Sequence, residues 1–371
     1  MEACKEQVLP FRRYLFSLAI ASSNDFFTHK QGLVDFDALW ANKKDRISLY
    51  CIDFATQDAV FVETADPVNL TSYPFYYQAQ RNHAKFLYRL AIDDFVQFSA
   101  RLHVANSPVT LLFSTGRCGS TLMIKLLEAS NQVTAFSEPD IFTQLALNTD
   151  IDSIKKAKII NAYLTLLKAS ISNEQSIIIK LRSQCTYDIK TYKNVPNIRS
   201  VYLYRDGLSF VNSYYSLLPT KLIALIKGLS LDSFLLNRPL INNAAVRNAP
   251  DLDNAKFNAI RPSLVKVFTL MWTSNIGTAK AMLNNSPDFF VSILHYRELK
   301  NSPIDACMQL TSALNISMPA EKDILAIMDE NSQKGTSIAS KGRFVLTQKD
   351  ITSFEQIIDL HPDIDNSDVT L

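Results

Sequence analysis

The chain has 371 residues, 47% of them hydrophobic and 20% charged, a balance that excludes a disordered or fibrous chain and allows a large folded core. A formal net charge of +2 is too small to argue for a nucleic-acid surface, so any anion site must be local. The five cysteines, Cys4, Cys51, Cys118, Cys185 and Cys307, are far apart and lack a C-x-x-C pair, which points away from zinc or disulfide frameworks and toward a reducing compartment.

Residues 1–105 read as an N-terminal extension, mainly helical and packing on the core, with a less regular middle around 49–61 that holds one or two strands. The apolar run 14–21 is far shorter than the roughly 20 residues of a bilayer span. No signal peptide or anchor is visible, so a cytoplasmic location and no membrane partner are expected. Over 77–98, Phe86, Leu87, Leu90, Ala91, Phe95 and Phe98 fall at helical spacing and predict a helix with one apolar stripe. Asn106-Ser-Pro-Val109 then marks a turn.

Residues 106–371 read as an α/β domain, a doubly wound and mostly parallel sheet flanked by helices. The first strand, around Leu111, Leu112 and Phe113, breaks into Thr115-Gly-Arg-Cys-Gly-Ser-Thr121, after which Leu122, Met123, Leu126 and Leu127 resume at helical period. Short apolar runs at 133–137, 176–180, 198–204 and 289–294 predict further strands of the type buried on both faces. Ser137-Glu138-Pro139-Asp140 predicts a helix start, and helices are expected at 154–170, 208–237, 262–283 and 304–314. The polar stretches 238–261 and 331–341 read as loops.

A strand that turns through small residues into a helix presents successive N–H groups and the positive end of the helix dipole to an anion. The loop here is not the NTPase phosphate loop, G-x-x-x-x-G-K-[ST]. Gly116 and Gly119 are too close together, and no lysine precedes Ser120 and Thr121. An NTPase also needs a strand-end carboxylate for magnesium, whereas two of the predicted strands end at Lys180 and Arg205.

The loop resembles the 5′-phosphosulfate loop of the sulfotransferases that use 3′-phosphoadenosine 5′-phosphosulfate (PAPS). Val201-Tyr-Leu-Tyr-Arg-Asp-Gly-Leu-Ser-Phe-Val-Asn-Ser-Tyr-Tyr215 is similar to that family's 3′-phosphate motif, a strand ending in Arg205 with Ser213 eight residues later. Ile293-Leu-His-Tyr-Arg-Glu-Leu299 is similar to its Tyr-Glu-Asp-Leu strand ending. The three motifs span about 107–345 in the family's order.

The resemblance implies a PAPS-dependent sulfotransferase, with 3′,5′-adenosine bisphosphate (PAP) as product and no metal. Thr115, Gly116, Arg117, Cys118, Gly119, Ser120 and Thr121 would hold the 5′-phosphosulfate. Arg205 and Ser213 would hold the 3′-phosphate, joined by Lys334 and Gly335 of a late loop. Arg117 would clamp the leaving group where the cytosolic branch has lysine. That branch places its histidine base two residues after a strand-end lysine, but this chain reads Lys180-Leu181-Arg182. Glu138, in a Ser-Glu-Pro setting beside Phe136 and Ile141, takes the role of base instead, with Lys180 as an electrostatic stabiliser. Cys118, with no partner histidine, reads as a small side chain tolerated in a tight loop. The acceptor expected is a small molecule, such as a secondary metabolite of the guanidinium alkaloid toxin type, sulfated on a hydroxyl or amine. The alternatives are an ATP-dependent small-molecule or nucleotide kinase and a binding module without activity.

Overall fold

The computed structural model describes residues 1–12, 19–104, 106–171, 175–216, 263–330, 346–361 and 364. Two five-stranded sheets organise them. The chain falls into two compact units, residues 1–111, 130–182 and 190–199 in one, and residues 112–129, 183–189 and 200–371 in the other.

The first sheet has the order β2-β1-β5-β4-β3, built from β1 (Glu2–Arg12), β2 (Phe26–Asp35), β3 (Ile47–Asp53), β4 (Asp58–Thr64) and β5 (Ala84–Ala91). All of its pairings are antiparallel. Three helices accompany it: α1 (Phe36–Lys43), α2 (Tyr76–His83) and α3 (Ile92–Ala100). Phe36 and Trp40 of α1 meet Phe61, Phe95 and Phe98 in a chain of tilted and edge-to-face rings, the geometry aromatic quadrupoles favour.

The expectation of a mainly helical N-terminal extension is thereby corrected. The two strands expected near 49–61 are β3 and β4, but the predicted helix over 77–98 is instead α2, β5 and α3. The reason is tertiary. β5 is the middle strand, with Leu87 opposite Glu6 on one side and Val62 on the other, and its adjacent Leu87 and Tyr88, which point to opposite faces, are both fully buried. Periodicity cannot separate such a strand from a helix.

The second sheet has the order β10-β9-β6-β8-β7, from β6 (Val109–Ser114), β7 (Val133–Ser137), β8 (Ser176–Lys180), β9 (Ile198–Tyr204) and β10 (Phe290–His295). β7 with β8 and β9 with β10 pair in parallel, and all six residues of β6 are buried, as a continuous apolar run predicts. The helices are α4 (Ser120–Glu128), α5 (Ile141–Leu147), α6 (Ser153–Ser170), α7 (Gly207–Tyr215), α8 (Leu264–Asn285), α9 (Tyr296–Asn301), α10 (Pro303–Leu314), α11 (Glu321–Asp329) and α12 (Gln348–Ile358). The α/β class, the five predicted strands and the helices at 154–170, 262–283 and 304–314 match. Most of the helix predicted over 208–237 and the loop over 238–261 lie outside the described residues. No described helix is long and apolar enough to cross a membrane.

Strand order decides where a ligand can enter. After β6 the chain runs toward β7, and after β9 it reaches β10 on the opposite side. The carboxyl ends of the neighbouring strands β6 and β9 therefore form a topological switch point, the place where open α/β sheets bind ligands.

Candidate active site

The loop at 115–121 leaves β6 at that switch point. Its first residue is tied to the neighbouring strand, because the N–H of Thr115 donates to Leu203 O at 3.2 Å. Gly116, Arg117 and Gly119 all have left-handed φ, 83°, 55° and 80°. Such turns bring successive N–H groups round to one side. Gly119 is the N-cap of α4, and no side chain caps its first turn, so the positive end of the helix is not covered by a capping group of its own. A Cβ on Gly119 would stand 2.8 Å from the Tyr296 ring and 3.1 Å from Leu299, so the residue is required by contact as well as by φ.

Arg117, Arg205 and Ser213 come together on this loop. Arg117 Nε donates to Ser213 Oγ at 3.2 Å, and Arg205 Nη1 donates to the Arg117 carbonyl at 2.9 Å. The Arg205 guanidinium stacks over Tyr296, 4.6 Å from the ring centroid, and Trp272 Nε1 donates to the Arg205 carbonyl at 2.7 Å. Arg205 Nε is buried and has no hydrogen-bond partner among the described residues. Burial, and the neighbouring Arg205 with it, pulls the Arg117 guanidinium below its ordinary value against an opposing effect of Tyr214. An anion would relieve both the orphaned donor and the paired cations.

Cys118 is fully buried, its thiol donates to Leu203 O at 3.3 Å, and burial raises its pKa. It is a filler rather than a nucleophile. Asp206, the carboxylate next to Arg205, is occupied as the N-cap of α7, accepting from the Ser209 N–H at 2.9 Å.

A second group lies at the ends of β7 and β8. The Glu138 N–H donates to Lys180 O at 2.8 Å, extending the ladder by one residue, and the two side chains form a short ion pair. Glu138 has φ 59°, a left-handed conformation uncommon for a residue with a Cβ and further disfavoured before proline. Its surroundings differ from the apolar setting read from Phe136 and Ile141: two cations hold it, Lys180 on Oε1 and Arg182 with Nε 3.6 Å from Oε2. Lys180 Nζ also lies 5.5 Å from the centroid of the Phe75 ring.

Sequence reasoning passed over Asp140, Tyr77, Tyr214 and Ser183. Asp140 binds Arg182, and Tyr77 carries the Arg182 guanidinium 4.2 Å from its ring centroid. Tyr214 and Ser183 close on Gly116, where a Cβ would meet them at 3.2 and 3.3 Å. Tyr214 lies beside Ser213 and Asp140 ends the Ser137-Glu138-Pro139-Asp140 stretch; Tyr77 and Ser183 had no signal. Lys334 and Gly335 lie outside the described residues. Among the described residues no group of three or more His, Cys, Asp or Glu side chains that could hold a metal occurs.

The fold is that of an α/β protein with Arg117, Arg205 and Ser213 gathered on the loop at the sheet's switch point. No family model matches the chain, and no curated protein matches it. Among solved structures it is similar to a sulfotransferase from Mycobacterium avium, at 10% identity and TM-score 0.42, covering 73% of this chain and 80% of that one. It is also similar to a mouse sulfotransferase complexed with PAP, at 11% identity and TM-score 0.39, covering 74% and 91%. A third is the sulfotransferase domain of the Synechococcus olefin synthase, at 12% identity and TM-score 0.35, covering 68% and 95%. At such distances the chemistry must rest on this chain's own residues.

Proposed function

We propose that this chain is a sulfotransferase that moves a sulfuryl group from PAPS to a hydroxyl or amine of a small-molecule acceptor and releases PAP. The observation that carries the reading is the joining of Arg117 to both Arg205 and Ser213 on the loop that leads into the N-terminus of α4. Arg205 ties the loop through a backbone carbonyl, but a plain strand-to-helix turn has no need to bring the two guanidinium groups close enough to repel, as they do here. A ligand with two separate phosphate groups does.

In this reading the loop residues 115–121 hold the 5′-phosphosulfate and stabilise charge on the departing 5′-phosphate. Arg205 and Ser213 hold the 3′-phosphate. Glu138 takes the acceptor proton as the acceptor atom bonds to sulfur, the bond from sulfur to the bridging phosphate oxygen breaks, and PAP leaves with that oxygen. Lys180 offsets charge on the transferred group. Lys334 and Gly335 join the 3′-phosphate set by the motif resemblance alone. The acceptor class, with a guanidinium alkaloid as one candidate, is likewise a proposal, as is a cytoplasmic location.

The competing reading is an ATP-dependent kinase. It is disfavoured because the carboxylate beside Arg205 is occupied in capping α7, whereas a magnesium-nucleotide site needs a carboxylate available to the ion. Incubation with sulfur-labelled PAPS and a panel of alcohols, phenols and amines, read by mass shift, tests the proposal. A sulfated product with release of PAP is expected. Phosphorylated product from ATP, with none from PAPS, would overturn it.

A further inference from the structure

The Glu138 carboxylate would need to be held in one place to act as a base, and its own backbone works against that, since a left-handed φ of 59° before Pro139 is a conformation the chain does not keep unaided. Lys180 holds its N–H and Oε1, which leaves Oε2 to be fixed from elsewhere. Arg182 spans two carboxylates: its Nε lies 3.6 Å from Glu138 Oε2, and its Nη2 donates to Asp140 Oδ2 at 2.9 Å. The Nε to Asp140 Oδ1 contact is close, at 2.7 Å, without hydrogen-bond alignment. The flat guanidinium rests on the Tyr77 ring at 4.2 Å, which restricts the one motion left to it.

Asp140 is fixed in its turn by the N-terminal segment. The Ala21 N–H donates to Asp140 Oδ2 at 2.8 Å. Ala21 is held by Gln144, which donates to its carbonyl at 2.9 Å and also grips the backbone of Ile52 in β3. Arg81 of α2 donates to the Ala19 carbonyl at 2.9 Å. The antiparallel sheet therefore reaches Glu138 through an unbroken chain of polar contacts, Ala21 to Asp140 to Arg182.

We propose that Asp140 and Arg182 form a positioning pair that holds Glu138 in its strained conformation for proton abstraction, and that the N-terminal segment is retained in part to fix this pair. The inference rests on Glu138 being the base. It makes Arg182 a positioning residue and gives the N-terminal sheet a place in the reaction.

The test compares Glu138→Gln, Arg182→Gln, Arg182→Lys and the Glu138→Gln/Arg182→Gln double variant in the full chain. Turnover of labelled PAPS with the best acceptor of the panel is measured beside PAP affinity and thermal unfolding. Expected is a loss of a hundredfold or more in kcat for Glu138→Gln and of ten- to a hundredfold for Arg182→Gln. Arg182→Lys recovers part of that loss, PAP affinity and KM for PAPS stay within twofold, and the double variant is no slower than Glu138→Gln, because removing the base makes its support irrelevant. Full activity in Arg182→Gln, or losses that multiply in the double variant, would overturn the positioning pair and leave the base in place. Full activity in Glu138→Gln would overturn the base and the pair together. Should Arg182→Gln fail to fold, Arg182→Lys alone decides: unchanged kcat contradicts the pair.

Discussion

At the scale of single residues, Gly119 and Asp140 carry the sharpest consequences. Gly119 combines a left-handed φ with a ring face 2.8 Å from where a Cβ would stand, so Gly119→Ala must shift either the loop or Tyr296, on which Arg205 stacks. A stability loss of about 1–3 kcal/mol and a fall in PAP affinity of tenfold or more are expected from urea denaturation and calorimetry. Asp140 is nearly inaccessible, and burial raises its pKa from 3.8 to about 6 against the opposing pull of Arg182 and the Ala21 N–H. Glu138 and Arg81 also face it, the first raising and the second lowering its pKa.

A carboxyl whose folded pKa exceeds its unfolded value binds protons more readily when folded. Its contribution to stability is thus full at the acid end and is lost as pH rises through the folded value. Between pH 7 and 5 the parent protein should gain about 1 kcal/mol relative to Asp140→Asn, read from urea midpoints at the two pH values. Activity should move the other way, since protonated Asp140 no longer pairs with Arg182. A stability difference that shrinks on acidification would contradict this account.

At the scale of elements, the β6–loop–α4 unit was legible from sequence because local constraints govern it. A buried run, small residues at left-handed positions and a helix-period restart all act within a few residues. The spacing of Arg205 and Ser213 was legible for the same reason: a strand end and two helical turns suffice. What could not be read was the N-terminal sheet. There β5 takes its conformation from β1 and β4, which lie far off in sequence, and Arg89 shows why. Alone it is a surface-type residue, yet it bridges Glu6 at 2.9 Å and Asp53 at 3.1 Å across the sheet. Arg81 behaves similarly, buried and bound to Asp25 at 3.1 Å and to Tyr50 at 2.8 Å. Arg81→Ala should cost about 3–5 kcal/mol in urea denaturation, as loss of one partner of a buried pair does; a cost below about 1 kcal/mol would show that water reaches Asp25. On the loop side, Ser213→Ala should weaken PAP roughly tenfold and leave AMP unchanged, by the loss of one hydrogen bond to a charged group. Equal weakening of both would take Ser213 off the 3′-phosphate.

At the scale of the whole molecule, the two sheets divide the labour proposed for the chain. The parallel sheet sets the anion loop at its switch point, and the antiparallel sheet supplies, through Ala21 and Asp140, the fixed surroundings of Glu138. The two candidate groups were half visible in sequence: the loop, Arg205 and Ser213 of one and Glu138 and Lys180 of the other could be named, while the roles of Asp140, Tyr77 and Ser183 could not. Those three act through contacts made only after folding; Asp140 closes the Ser-Glu-Pro-Asp stretch, but nothing in that spacing shows its pairing with Arg182. The central claim is that the cradle is built for a nucleotide carrying a 3′-phosphate. The most direct measurement is calorimetric titration of the full chain with PAP, AMP and ATP, each with and without magnesium. PAP should bind on the order of a hundredfold tighter than AMP, the worth of about 3 kcal/mol in charge-assisted contacts to the extra phosphate, with no dependence on magnesium. Magnesium-dependent ATP binding with equal affinity for PAP and AMP would contradict it.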